Sequence, residues 1–130
     1  MDWLNDNSML LTQKTLDVSW AKQKIAQDNI ANVDTPGYKA KYILFEDELR
    51  KRLSRLEGKE RLKNSEIRET IRDSRMRIRQ KDDESIRADG NNVNLDIEEL
   101  EIVRNNYQYQ YALRQISDQL SRLRVAIEGR

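Results

Sequence analysis

The C-terminal third of the chain constrains its fold more than any other part. Ile102, Tyr109, Ile116 and Leu123 recur every seven residues, and Leu113, Leu120 and Ile127 fall four residues after the last three of them. Between Tyr109 and Ile127 the apolar spacing is therefore 4-3-4-3-4, the pattern of a coiled-coil seam. "DGNN" at 89–92 reads as a turn, and Asp96 with Glu99 three residues later fits a capping box, with Leu95 and Leu100 as its hydrophobic staple. Asn94 is the alternative cap. The spacing predicts a helix from about Asp96 to Glu128. Tyr107 and Tyr111 flank Tyr109 at alternate positions, so a helix spreads the three around its cylinder. Tyr109 belongs to the seam; the other two are surface, or become buried where subunits stack.

A second long helix is predicted from about Ser8 to Asn32. Leu4, Leu11, Val18 and Ile25 repeat every seven residues. Met9, Leu16 and Ile30 keep that period two residues out of step, about 200° around a helix, so the helix is apolar on two sides. Such a helix is central in a bundle or squeezed between subunits. In so short a chain few helices are left to surround it, which favours subunits.

Charge sets the middle apart. Residues 50–90 hold fourteen basic and nine acidic side chains, a net +5, while 1–49 hold five and eight and 91–130 hold five and six. Phe45, Leu49, Leu53 and Leu56 predict a short helix up to Gly58. Beyond it the apolar residues thin to Leu62, Ile67, Ile71, Met76, Ile78 and Ile86. A stretch of this kind does not bury enough surface to offset its ordering entropy alone, and is expected to be mobile or ordered only against a partner.

The chemistry available is narrow. The chain has no cysteine and no histidine, which removes thiolate sites, disulfides and the commonest general base and metal ligand. No glycine-rich phosphate loop occurs, and the carboxylates are spread along helical surfaces, so an enzyme is not expected. A calcium loop starting at Asp89 would place glycine second instead of sixth and Val93 at a ligand position, so a helix-initiating turn is favoured and no cofactor is expected. Arg68, Arg72, Arg75 and Arg79 have helical spacing and could track phosphates, but no aromatics are interleaved to stack on bases. A helical nucleic-acid-binding or regulatory protein using residues 50–90 is the rival reading, and salt-dependent binding to random DNA would favour it. No apolar run approaches a membrane span of about 18 residues. Asp2 and Asp6 stand where a secretory signal carries basic residues, so the chain is expected to stay in the cytoplasm or to leave without a cleaved signal peptide.

The first helix stops at "NIANVDTPGYKA", residues 29–40, which holds the chain's one proline and one of its four glycines. Pro36 and Gly37 suit the central positions of a type II turn, and Pro36 pushes Thr35 out of the helical region. Asn32 and Asp34 can bond local backbone. On physical grounds this is an abrupt helix stop with a set exit direction.

These residues also carry a resemblance. Asn29, Ile30, Ala31, Asn32, Thr35, Pro36, Gly37 and Tyr38 match the pattern N-I-A-N-x-x-T-P-G-[YF] of bacterial flagellar axial proteins, the rod and hook group. Asp89, Gly90, Asn91, Asn92 and Val93 are similar to the D-G-N-N-V-D-L-D-x-E of its proximal rod members, with Asn94 in place of an aspartate. The resemblance implies an all-α fold: N- and C-terminal core helices (1–34 and 91–130) packed as a coiled coil, with a turn and a charged, partly irregular middle (35–90) between them. It implies a structural subunit polymerising helically in the basal-body rod, with Leu11, Val18 and Ile25 joining the C-terminal seam in assembly. The implied partners are other copies and other rod proteins, the MS ring and rod adaptors, and the flagellar type III export apparatus, with neither nucleic acid nor a membrane span. The implied location is the rod in the periplasmic space.

Overall fold

The computed structural model describes residues 7–58, 63–83, 85 and 87–129. Leu4, Leu62 and Ile86, named above as apolar positions, lie outside the described residues. Two long helices, α1 (Asn7–Ala31) and α4 (Leu95–Glu128), bracket β1 (Lys41–Leu44), α2 (Glu46–Ser54), α3 (Asn64–Asp73) and β2 (Arg77–Gln80). The ends of α4 are set by local chemistry. Asn94 caps it, its Oδ1 accepting from the N–H groups of Asp96 and Ile97, so the cap is Asn94 and not Asp96. Gly129 closes it in the left-handed conformation, its N–H on the Val125 carbonyl at 2.9 Å.

The two long helices run antiparallel along most of their length. Asn29 bonds Glu98 near one end and Gln119 bonds Ser8 near the other. The residues buried between them are small or polar: Ser19, Ala26 and Asn29 on α1, Glu98, Asn105 and Ala112 on α4. In each helix these positions step by sevens or threes, a helical stripe that carries too little hydrophobicity to show in an apolar pattern. Small side chains let the helix backbones approach closely, and Asn29 donates across the contact to Glu98.

This changes the seam. Ile102, Tyr109, Ile116 and Leu123 are half-buried on the α1 side of α4, but Leu113, Leu120 and Ile127 are exposed. The column facing α1 beside Tyr109 is Asn105 and Ala112 instead. On α1, Val18 and Ile25 turn toward a different neighbour and Leu11 is largely exposed. Within the subunit the apolar residues of α1 and α4 therefore do not meet as one zipper.

Val18 and Ile25 belong to a small core assembled from four elements. Val18, Ile43, Phe45, Leu49 and Ile71 are buried together, with Leu10, Ala21, Ile25, Leu53 and Ile67 packed around them. The side of α1 that carries Val18 and Ile25 is thus met inside the chain, by β1, α2 and α3, and subunits are not required to cover it. Among the described residues the middle segment is ordered for the same reason. It contains too few apolar residues to fold alone, but α3 and α2 use α1 as their floor. Lys14 on α1 also donates to the Arg72 and Ser74 carbonyls at the end of α3 (2.5 and 2.6 Å). Burial lowers its pKa, partly offset by the nearby charge of Asp73.

The fold is mostly helical without being all-α. β1 and β2 pair antiparallel in the register Lys41↔Gln80 through Leu44↔Arg77. This small sheet was not expected from sequence, because neither strand exceeds four residues and the second reads Arg-Ile-Arg-Gln. It also breaks the arginine stripe. Arg68 and Arg72 lie on α3, which ends at Asp73, and Arg79 lies on β2.

If the middle folds as one unit with α1, Ile71→Ala should lower the unfolding free energy by about 2–4 kcal/mol, the usual range for such a truncation in a core. Arg75→Ala, on the surface, should change it by less than about 0.5 kcal/mol. Urea unfolding followed by circular dichroism measures both; equal midpoints would mean that α3 is not part of the cooperative unit.

Candidate functional site: one joint built from two motifs

The two motifs, some fifty residues apart in sequence, are a single structure. Thr35 to Tyr38 form a β-turn closed by the Tyr38 N–H on the Thr35 carbonyl at 3.2 Å, with Gly37 in third position at φ +72°. That pattern fits the type II turn, whose third residue needs a positive φ. Gly90 also takes positive φ (+77°) and lies against it: a Cβ on Gly90 would sit 3.7 Å from the Gly37 Cα. The Gly37 N–H bonds the Asp89 carbonyl at 2.8 Å and the Asn92 N–H bonds the Tyr38 carbonyl at 3.3 Å. The chain leaving α1 and the chain entering α4 are therefore tied backbone to backbone.

Asparagine amides supply the rest. The Asn91 Nδ2, almost wholly buried, donates to the carbonyls of Asn32, Val33 and Thr35 at 2.8–2.9 Å, where α1 ends and its carbonyls lack helical partners. Its Oδ1 accepts from the Val93 N–H at 2.8 Å. The Asn92 side chain enters the sheet at its end. Its Oδ1 accepts from the Ala40 N–H (2.7 Å) and its Nδ2 donates to the Lys81 carbonyl (3.0 Å), bridging two backbone groups that would otherwise face each other across the ladder. Asn29, at 0% exposure, does the same on the other side of β1. It accepts from the Lys41 N–H (2.9 Å) and donates to the Lys41 carbonyl (2.8 Å) and to Glu98 (3.1 Å). An amide presents a donor and an acceptor at the spacing of a peptide group, which is why asparagine suits these positions.

The joint also fixes charge. Glu98 is buried on α4 and is met by Asn29 and by Lys81 at 3.8 Å. Lys39 donates to the Gly90 carbonyl at 2.8 Å, and Arg87 donates to the Val33 carbonyl at 2.6 Å and pairs with Asp89 at 3.1 Å. The Tyr38 hydroxyl donates to Asn29 Oδ1 at 3.2 Å. Burial, with the negative Asp28 and Glu98 nearby, raises its pKa above the usual phenol range, so it stays protonated in that role. Pro36 and Ala31 are exposed and Ile30 is half-buried; their side chains take no part in this network.

Opposite the α1 side, α4 presents a second feature. Leu100, Val103, Tyr107 and Tyr111 follow each other at spacings of 3, 4 and 4, which lines them along one helical face. All are at least half exposed, Tyr107 at 69%. The apolar periodicity of Ile102 to Leu123 masks this stripe in the sequence, because both fall in the same segment. Glu98 and Lys39 were missed for another reason: their role is to close polar contacts that only the assembled joint creates. Among the described residues no helix is long and apolar enough to cross a membrane.

Known proteins agree on what this arrangement belongs to. The family model for flagella basal body rod proteins matches residues 20–39, the second half of α1 and the turn. The chain is similar to the flagellar basal body rod protein FlgB of Bacillus subtilis, with 36% identity over 109 residues and 83% of each chain covered. It is similar to FlgB of Escherichia coli (30% over 126 residues, 88% of each) and of Salmonella typhimurium (30% over 137 residues, 95% of each). Those lengths of similarity span both long helices and the segment between them. The chain belongs to the FlgB family of flagellar basal body rod proteins.

Proposed function

We propose that this chain, a structural subunit of the flagellar basal-body rod and not an enzyme, builds the rod by polymerising helically through its terminal helices. The observation that carries this is the exposed apolar stripe of Leu100, Val103 and Tyr107 on α4, continued by Tyr111 at a cavity it shares with α1 and α2. Leu113, Leu120 and Ile127 add exposed apolar surface further along the same helix, on the flank nearer α1. Contiguous exposed apolar surface marks interaction sites, and tyrosine is enriched in them. In this reading the seam read from sequence is completed between subunits, as a coiled coil of α4 with neighbouring copies and other rod proteins. Residues 1–34 and 91–130 form the core of the rod's wall around an export channel, and 35–90 vary around it. The subunit occupies the proximal rod in the periplasmic space, meets the MS ring and rod adaptors, and reaches its place through the type III export apparatus without a cleaved signal peptide. The nucleic-acid reading has no support among the relatives, and the arginines it relied on are divided between a helix and a strand.

The test is Tyr107→Asp, expressed in a strain lacking the native subunit, with secreted subunit and rods both scored. A charge placed in a packed apolar contact without a partner costs several kcal/mol, so subunit should be secreted and rods should be absent. Arg72→Ala, on the exposed side of α3, should leave rods and swimming near normal, because an exposed ion pair contributes about 0–1 kcal/mol. Normal rods with Tyr107→Asp would contradict the proposal.

A further inference from the structure

The edge of the small sheet has the features of a docking site for a strand. Ile43 and Ile78 are directly opposite each other in the β1–β2 register and share one face, yet Ile43 is 8% exposed and Ile78 61%. The difference arises because β1 is flanked by the rest of the fold and β2 is not. The Lys81 N–H bonds the Ala40 carbonyl at 2.8 Å, and antiparallel alternation from that pair makes Tyr42–Arg79 and Leu44–Arg77 the hydrogen-bonded pairs. The backbone groups of Ile78 and Gln80 therefore point away from β1. On β1 the matching outward groups of Lys41 are taken by Asn29, but among the described residues none takes those of Ile78 and Gln80.

Beside this open edge the fold leaves a groove of about 520 Å³ between the sheet and α1. Lys24, Ile25 and Asp28 line one wall, Ile43 and Ile78 the other, and Arg79 also borders it although strand alternation turns its side chain to the other face. A strand added to β2 would place alternate side chains over this groove, continuing the layer of Ile43 and Ile78, and the others on the opposite face. On that opposite face stand Arg77 and Arg79, both exposed and, among the described residues, without an ion-pair partner.

The geometry points to an interaction surface that goes beyond rod membership: β2 accepts, by strand addition, an extended segment of another protein in which apolar and acidic residues alternate. The apolar residues enter the groove beside Ile78, and the acidic ones meet Arg77 and Arg79. Main-chain bonds supply affinity and the alternation supplies specificity, as in other strand-addition complexes. The same arginines select against a second copy of this chain. Pairing β2 with β2 would bring arginines opposite arginines, and like charges directly opposite destabilise a pair of strands.

The test uses the full chain and three labelled hexapeptides: Val-Glu-Val-Glu-Val-Glu, Val-Lys-Val-Lys-Val-Lys, and Val-Val-Val-Glu-Glu-Glu. Fluorescence anisotropy measures binding, and amide hydrogen exchange reads the edge. The alternating glutamate peptide should bind about tenfold more tightly than the other two and should slow exchange at Ile78 and Gln80. The factor follows from two exposed charge contacts, each worth up to about fivefold. Ile78→Pro removes an N–H that β1 does not use, so it should abolish binding while leaving the helical circular dichroism unchanged. The double variant Arg77→Glu/Arg79→Glu should invert the preference toward the lysine peptide, and it decides the matter if Ile78→Pro fails to fold. Equal binding of the block and alternating glutamate peptides would overturn the proposal. So would unchanged exchange at Ile78 and Gln80 with millimolar peptide.

Discussion

Asn91→Ala should destabilise the folded subunit by about 2–4 kcal/mol and lower its melting midpoint by roughly 10 °C. The reason lies in what each partner of Asn91 has left. The Asn32 carbonyl keeps the Thr35 N–H, the Val33 carbonyl keeps Arg87, and the Thr35 carbonyl keeps the Tyr38 N–H. The Val93 N–H, in a buried bond, loses its acceptor. The loss therefore combines one orphaned buried donor with three broken amide bonds and the space the amide filled. Asn91→Asp is the sharper companion. It keeps an acceptor for Val93 but turns a carboxylate toward three carbonyls, so it should cost at least as much at neutral pH. A generic loss of side-chain volume would spare this variant. By contrast Asn94→Ala, which removes only the α4 cap, should cost about 1 kcal/mol. If Asn91→Ala and Asn94→Ala melt together, the joint is not the part that holds the two helices.

The second large effect is expected at Gly37. An added Cβ there meets nothing within 4 Å, so any harm from a substitution comes from the backbone at φ +72°. Gly37→Val must strain that turn by about 1–2 kcal/mol or re-aim the chain where it bonds Asp89. Asparagine tolerates the left-handed region, so Gly37→Asn should keep the turn. Export should survive in both variants, because an unfolded chain needs no turn. In a strain lacking the native subunit, Gly37→Val should be secreted without forming rods, since each misdirected subunit repeats its error at every contact of the polymer. Gly37→Asn should form rods. Normal rods from both would show that the geometry of this turn does not matter to assembly.

The pattern of what was legible follows from what an apolar period can report. The two long helices were readable because each carries its own signals: seven-residue repeats, a proline–glycine stop after α1, and a turn at 89–92 before α4. The short helix predicted from Phe45 up to Gly58 was readable from its own apolar spacing, although α2 ends earlier and runs Glu46–Ser54. The contact between α1 and α4 was not, because Ser19, Ala26, Asn105 and Ala112 are small or polar and look like surface in one dimension. Nor was the order of the middle, whose core draws only one or two residues from each of β1, α2 and α3. The site divided similarly. The two motifs could be quoted from sequence, each with a local role, but their union depends on Asn91 and Asn92 reaching across more than fifty residues to α1 and the sheet. Polar pairing of that kind has no periodicity, so only the fold reveals it.

In the proposed assembly the uncovered face of α4 becomes buried between subunits of the rod. The chain has no cysteine, so Tyr107→Cys introduces a single thiol on that face, and the substitution keeps it uncharged. Maleimide labelling of the secreted, unassembled subunit should be fast, as expected for a position 69% exposed in the isolated chain. In intact basal bodies the same thiol should be protected, and labelling should return once the bodies are dissociated with acid and neutralised. Labelling at the same rate in intact bodies and in free subunit would contradict the claim.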